Sequence, residues 1–198
     1  KLNGNVDKNA LVETQGRFCY NDPKDVEHLN GAGEMKRVVL FASYDKNGKI
    51  HDYVLGYLTY LKAVARHLLF IADNPIADFE QQKLTGLVDA VICEAHGAYD
   101  FGSYQRGYLK AKALGLLDEA DELILCNDSC FCFRPLAPIF DIMAQRSCDV
   151  WAMTKSFEEM AHLQSFFLVV KRAVFESPVF IQHLMDVEPK PTFQEVVR

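Results

Sequence analysis

The stretch Glu122-Leu123-Ile124-Leu125-Cys126-Asn127-Asp128-Ser129 is a continuous apolar run that ends abruptly in three polar residues. A strand covered on both faces reads this way, because the layers above and below it leave no solvated side for polar residues. The run predicts a central strand, and Asn127, Asp128 and Ser129 form the turn that leaves it.

The same grammar recurs outward from this strand. Upstream, Val38-Val39-Leu40-Phe41-Ala42 reads as a strand, residues 52–66 as an amphipathic helix, and Leu68-Leu69-Phe70-Ile71-Ala72 as the next strand, which together make a βαβ unit. Asp52 stands where a helix cap is expected, and Val54, Leu55, Leu58, Leu61 and Val64 repeat at helical spacing. Residues 78–87 read as a short helix, Ala90-Val91-Ile92-Cys93 as a third strand and residues 102–117 as a second long helix. Downstream, residues 138–146 form a helical pattern with Pro138 near its first turn, followed by strand Asp149-Val150-Trp151-Ala152-Met153, a strand over residues 165–170, and a helix around residues 178–185. Strands alternating with helices predict an α/β domain with a mostly parallel central sheet and helices on both faces. Residues 1–36, rich in Asn, Asp, Gly and Lys, read as an N-terminal extension, with regular structure beginning near Arg37 and the domain occupying residues 37–198.

Composition narrows the function classes. With 198 residues and 49% hydrophobic content, the chain has enough apolar material for one ordinary domain core. A net charge of -6 and a pI near 5.5 leave no broad basic surface for nucleic acid. The apolar runs are far shorter than the roughly 20 residues that span a bilayer, so no membrane span is expected in this chain. Of the six cysteines, Cys93, Cys126 and Cys148 lie in or beside apolar runs and read as small buried thiols in a reducing compartment. Cys130 and Cys132 read as part of a variable loop, since no second Cys/His pair has zinc spacing.

In open α/β sheets, ligands bind beyond the carboxyl ends of the strands. The residues at those ends are polar here: Ser43, Tyr44 and Asp45, then Asp73 and Asn74, then Glu94 and His96, then Asn127, Asp128 and Ser129. Turn geometry alone favours Asn, Asp and Ser at such places, but four polar turns on one edge point to a polar ligand. A carboxylate held rigidly after a buried strand, as Asp128 is, can bind a diphosphate through a shared divalent cation, and oxygen ligands suit Mg²⁺ or Mn²⁺. Asp100, in Tyr99-Asp100-Phe101-Gly102, stands at the start of a helix as a cap or as a ligand for a sugar hydroxyl. No Gly-x-Gly-x-x-Gly follows the first strand, which removes the backbone cradle of a dinucleotide binder.

Tyr99-Asp100-Phe101-Gly102, the run from Asp121 to Ser129, Cys148-Asp149-Val150-Trp151 and His162-Leu163-Gln164-Ser165-Phe166-Phe167-Leu168-Val169 occur in the order and rough spacing of the rhamnan synthesis protein F family, which the chain resembles. Asp52-Tyr53-Val54 extends the likeness, which covers about residues 38–180. The resemblance implies a GT-A-like glycosyltransferase domain that moves a sugar, rhamnose, from a nucleotide-sugar donor to a growing cell-surface polysaccharide or lipid-linked glycan. It further implies lipopolysaccharide or other cell-envelope assembly in the cytoplasm, at the inner face of a bacterial membrane. By the same resemblance, Asn127-Asp128-Ser129 stands where such enzymes carry an Asp-x-Asp motif, Asp128 lies nearest the donor diphosphate and its metal, and Asp100 faces the donor sugar. Ser43, Tyr44, Asp73, Asn127 and Ser129 complete the expected donor site, and His162 or Asp149 is the expected general base. Tyr99, Phe101 and Trp151 are expected to pack on a methyl-bearing sugar. This sequence departs from the family at His96, where Asn is usual, at Ala98, where Gly is usual, and in an extra Cys132-Phe133 pair. With a single carboxylate in the motif, the alternative is a non-catalytic nucleotide-sugar or glycan-binding domain.

Overall fold

The computed structural model describes residues 18–20, 35–157 and 161–189. Among the described residues, nine strands and six α-helices follow one another as β1 (Phe18–Tyr20), β2 (Arg37–Ser43), α1 (Asp52–Lys62), β3 (His67–Ala72), α2 (Asp78–Gln81), β4 (Ala90–Cys93), α3 (Tyr99–Ala113), β5 (Glu122–Asn127), α4 (Ala137–Ala144), β6 (Val150–Ala152), β7 (Lys155–Ser156), β8 (His162–Leu163), β9 (Phe167–Lys171), α5 (Arg172–Phe175) and α6 (Pro178–Met185). Seven strands form one sheet in the order β1-β6-β9-β5-β2-β3-β4, while β7 and β8 pair in a small separate hairpin. Every neighbouring pair is parallel except those made by β9, which runs against both β5 and β6. β9 follows β6 through the β7–β8 hairpin with no crossover helix, and a return of that kind places the next strand antiparallel.

Strand side chains alternate between two apolar layers, as a sheet covered on both faces requires. Val39, Phe41, Leu68, Phe70, Ile124 and Cys126 pack with Tyr57 and Leu58 of α1 and Phe140 of α4. Val38, Leu40, Leu69, Ile71, Leu123 and Leu125 pack on the other face with Tyr104 and Tyr108 of α3 and with Phe175 and Leu184. At its closest, α3 crosses the sheet through Gly107, where an added Cβ would stand 2.8 Å from Ile71 Cδ1. The mostly parallel sheet and its two helical layers therefore match the reading of the alternating pattern.

Local departures have physical causes. α1 ends at Lys62 rather than Arg66, because Arg66 N already donates to Arg37 O at 2.8 Å on the way into β3. Asp52 does not cap α1: His51 is the cap residue, and Asp52 stands in the first turn, where its charge favours the positive end of the helix. α3 begins three residues before the expected Gly102, at Tyr99. β1, of which the backbone is described, lies inside the stretch read as an extension, and Phe18 pairs with Val150. A three-residue strand is too short to show a period in sequence. Apart from residues 18–20 and 35–36, the 1–36 stretch lies outside the described residues.

Candidate functional site at the carboxyl ends of β2 and β5

The ends of β2 and β5 lie side by side, with Ala42 opposite Asn127. From β2 the chain moves outward to β3 and β4, then returns to β5 on the other flank of β2, so the strand order reverses between these two strands. That reversal is the topological switch point at which open α/β sheets bind ligands. The ladder continues past the strand ends: Asp73 N donates to Ser43 O at 3.0 Å and Asp128 N to Ala42 O at 3.2 Å. Tyr44, Asp73 and Asp128 thus follow three neighbouring strands on one edge.

Asp128 is the centre of this edge. Its Oδ2 accepts from Ser43 Oγ at 2.7 Å and from Tyr44 N at 3.0 Å, and its backbone oxygen accepts from the Tyr53 hydroxyl at 3.3 Å. Burial outweighs these donors and holds the carboxyl above the ordinary range. Asn127 supplies the turn: its Oδ1 accepts from Ser129 N at 3.0 Å, an Asx arrangement that leaves the Asp128 carboxylate free of turn formation. The Asn127 Nδ2 donates to Asp100 Oδ2 at 2.5 Å and so joins the end of β5 to the first turn of α3. Burial also raises the Asp100 carboxyl, and the negative charge of Asp128 raises it further.

The turn that carries Asp100 is held from behind. Asp73 Oδ1 accepts from His96 N at 2.6 Å and Gly97 N at 2.9 Å. His96 Nδ1 lies 3.2 Å from Ala98 N and 3.4 Å from Asp73 Oδ2, and its Nε2 lies 3.0 Å from Ser103 Oγ; the contact from Ala98 N is a hydrogen bond in the tautomer protonated at Nε2. Burial lowers the His96 pKa and favours this neutral form. Gly97 and Tyr99 both have positive φ, at 65° and 52°. Tyr99 is the non-glycine residue with that geometry among those described, and such strain persists where surrounding contacts fix it. Asp73 acts here through the turn.

Ser43, Tyr44, Asp100, Asn127, Asp128 and Ser129 are therefore brought into one connected network, with Asp73 in the adjoining one. His162 lies in β8 opposite Ser156, on a hairpin that leaves the same edge: Gln164 N donates to Thr154 O at 3.2 Å just past the end of β6. Asp149 is not brought in. It precedes β6, its backbone oxygen accepts from Lys171 N at 2.9 Å, and the register sets Val150 level with Val170 and Leu123. That places Asp149 where β5 begins, about 16 Å along the strand direction from Asn127 at the usual rise per residue. Trp151 is likewise not a sugar platform, since it is 1% exposed in the core with its ring 5.2 Å from Phe140. Tyr99 and Phe101 do remain partly exposed beside the site.

Tyr53 and Ser103 join the site without having been singled out. Tyr53 stands in the first turn of α1 with an otherwise ordinary helical pattern, and Ser103 looks like a solvent-facing helix residue until its burial is known. Two open hollows, of about 250 and 340 Å³, lie at the opposite edge among Lys36, Arg66 and Glu119 and among Arg37, Val64 and Phe140. Their ions are mutually paired, Lys36 with Glu119 at 2.8 Å and Arg37 with Glu122 at 2.7 Å. These two hollows lie away from the linked carboxylates, and the switch point carries the argument.

Among the described residues no three His, Cys, Asp or Glu side chains are grouped as a ready metal cage, and none of the helices is long and apolar enough to cross a membrane. The oxygen donors around Asp128 fit a hard cation shared with a ligand's phosphates rather than one enclosed by protein alone.

These features define an α/β domain with an acidic, hydrogen-bonded edge at its switch point. The chain belongs to the rhamnan synthesis protein F family, whose model matches residues 68–198, from the first residues of β3 through α3, β5 and β9. Membership assigns it a role in rhamnan synthesis, and so in polysaccharide biosynthesis. None of the curated proteins compared with the chain matches it.

Proposed function

We propose that this chain is a glycosyltransferase domain of GT-A type that transfers rhamnose from a nucleotide-sugar donor to a growing cell-surface glycan, at the cytoplasmic face of a bacterial membrane. The observation that carries the reading is the Asp128–Ser43–Tyr44 cluster at the switch point, linked through Asn127 to Asp100. The strand order supports it. Numbered from β2 and leaving β1 aside, the sheet runs 3-2-1-4-6-5 with the sixth strand reversed, which differs from a dinucleotide-binding sheet in its last two strands.

In this reading Asp128 faces the donor diphosphate. Asp45, Asp100 and Asp128 make the edge acidic, so an anionic diphosphate would need a cation between itself and the protein, and Asp128 would hold Mg²⁺ or Mn²⁺ there. When bound, the cation would offset the charge developing on the departing diphosphate. Asp100, fixed by Asn127, accepts from a sugar hydroxyl and orients the ring. His162, on the hairpin beyond β6, takes the proton from the acceptor hydroxyl. Asp149 has no part in this scheme, because it lies at the other edge.

Incubating the 198-residue chain with dTDP-rhamnose and a rhamnose oligosaccharide, with and without Mn²⁺, tests the proposal. The expected product is the oligosaccharide heavier by one deoxyhexose. Nucleotide-sugar binding without transfer under any of these conditions would favour the second reading, a non-catalytic binding domain, which the single carboxylate of Asn127-Asp128-Ser129 supports.

A further inference from the structure

A row of aromatic rings leaves the candidate site at Tyr53. The Tyr53 hydroxyl donates to Asp128 O at 3.3 Å, and its ring centroid lies 4.5 Å from that of Phe131. Phe131 in turn lies 5.8 Å from Phe133, the two rings within 10° of parallel. On the other side of Tyr53, His51 stacks at 6.0 Å and pairs with Asp45 at 3.1 Å. Phe131 is 60% exposed and Phe133 81%. Phenylalanine ordinarily gains by burial, so two adjacent exposed rings joined to a polar site mark a surface that a ligand covers.

We propose that Phe131 and Phe133 form a glycan-binding platform that seats the acceptor chain beside the site, its pyranose rings lying with their apolar C–H faces on the two phenylalanines. This rests on the glycosyltransferase reading for the word acceptor, though not for the binding itself. Three observations choose this occupant. The platform is continuous with Asp128 through Tyr53, so a chain lying on it ends beside the residue proposed to face the donor diphosphate. Its rim offers hydrogen-bonding oxygens at Asp45 and Asp128, which suit sugar hydroxyls. The platform also offers two nearly parallel rings in sequence, which suits a ligand of several successive rings more than a single nucleobase. The departure Cys132-Phe133, an addition relative to the resembled family pattern, then lengthens the platform by one ring.

The test uses the full chain, a synthetic rhamnose tetrasaccharide carrying no nucleotide, and dTDP as a separate probe. Calorimetry should show the tetrasaccharide binding the native chain and binding Phe131→Ala/Phe133→Ala at least about tenfold more weakly, a loss of about 1.4 kcal/mol. Binding of dTDP should stay within about twofold, and Phe133→Tyr should retain the tetrasaccharide. Loss of dTDP binding in the double variant with the tetrasaccharide unaffected would make the rings a nucleobase stack and overturn the proposal. Absence of tetrasaccharide binding to the native chain, or equal binding by both proteins, would overturn it too. Tetrasaccharide binding that depends on the rings, in a chain that transfers no sugar, would uphold the platform while removing the transferase reading.

Discussion

Asn127 holds Asp100 through a 2.5 Å hydrogen bond from its side-chain amide, and so fastens the end of the central strand to the first turn of α3. Asn127 is 2% exposed, and its other side-chain atom accepts from Ser129 N. Replacing it with alanine would leave the partly buried Asp100 carboxylate and the Ser129 N–H without these partners. Asn127→Ala should therefore lose about 1–3 kcal/mol of stability, seen as a lower urea midpoint with unchanged slope. An unaltered midpoint would show that the two turns are not coupled through this residue.

Asp128 predicts a trade between stability and function. Its folded pKa is raised above the ordinary 3.8, chiefly by burial. A carboxyl raised in this way contributes stability that is fully present below the unfolded value and lost as pH rises through the folded one, so at neutral pH its charge burdens the fold. Asp128→Asn keeps an acceptor oxygen for Ser43 and Tyr44 while removing that charge. Its urea midpoint at neutral pH should equal or exceed that of the native chain, and the difference should shrink on acidification below the ordinary carboxyl range. Donor turnover should fall to background in the same variant. A variant that unfolds more readily at neutral pH, or keeps full turnover, contradicts the assignment.

Gly102 should tolerate no side chain. A Cβ there would stand 2.8 Å from His96 Nδ1 and 2.9 Å from His96 Cε1, with Ala98 Cβ closer still. His96 cannot retreat easily, because it is tied to Ser103 on one side and to the Ala98 backbone on the other. Gly102→Ala should cost about 1–3 kcal/mol, as overpacking of a tight interior does, and should weaken donor binding by displacing Asp100. Native affinity in Gly102→Ala would show that Asp100 does not meet the donor.

Much of this arrangement was legible from periodicity alone. The apolar runs at Val38, Leu68, Ala90 and Leu123 became four adjacent parallel strands, and residues 178–185 became α6 with the bounds expected. The convergence of Ser43, Tyr44, Asp100, Asn127, Asp128 and Ser129 also followed, because residues after parallel strands must share an edge. Asp149 misled for the complementary reason. Its acidic character suggested chemistry, but its place before Val150 puts it at the amino end, and only the strand direction of β6 decides that. The direction of β9 was hidden as well, since an apolar strand reads the same both ways and its reversal comes from the short β7–β8 connection. Tyr53 entered only within the Asp52-Tyr53-Val54 likeness and not as a site residue, because a helix-surface pattern says nothing of which neighbouring loop a phenolic oxygen will reach.

The identity of the donor sugar is the most consequential expectation. The family is named for rhamnan synthesis, and rhamnose reaches polysaccharides from an activated nucleotide form, so the expected donor is a deoxysugar nucleotide of the dTDP-rhamnose kind. Physical support from the site is limited to its two aromatic neighbours. Tyr99 is 37% exposed and Phe101 41% exposed at the start of α3, next to Asp100. A 6-deoxysugar presents a methyl group where glucose and mannose present a hydroxymethyl group, and an aromatic edge favours the methyl because it has no polar atom to desolvate. Asp100 would meanwhile accept from a ring hydroxyl, which all three sugars supply, so it gives orientation without discrimination. The discriminating contact is then apolar, and apolar pockets separate such substrates by only about 1–3 kcal/mol. Calorimetric titration with dTDP-rhamnose, UDP-glucose and GDP-mannose should rank dTDP-rhamnose tightest by about 10- to 100-fold. Phe101→Ala should narrow that gap while leaving affinity for dTDP itself unchanged. Tighter binding of UDP-glucose or GDP-mannose would remove the rhamnose assignment and leave the transferase proposal standing, because the role proposed for the Asp128 cluster is toward the diphosphate that all three donors share.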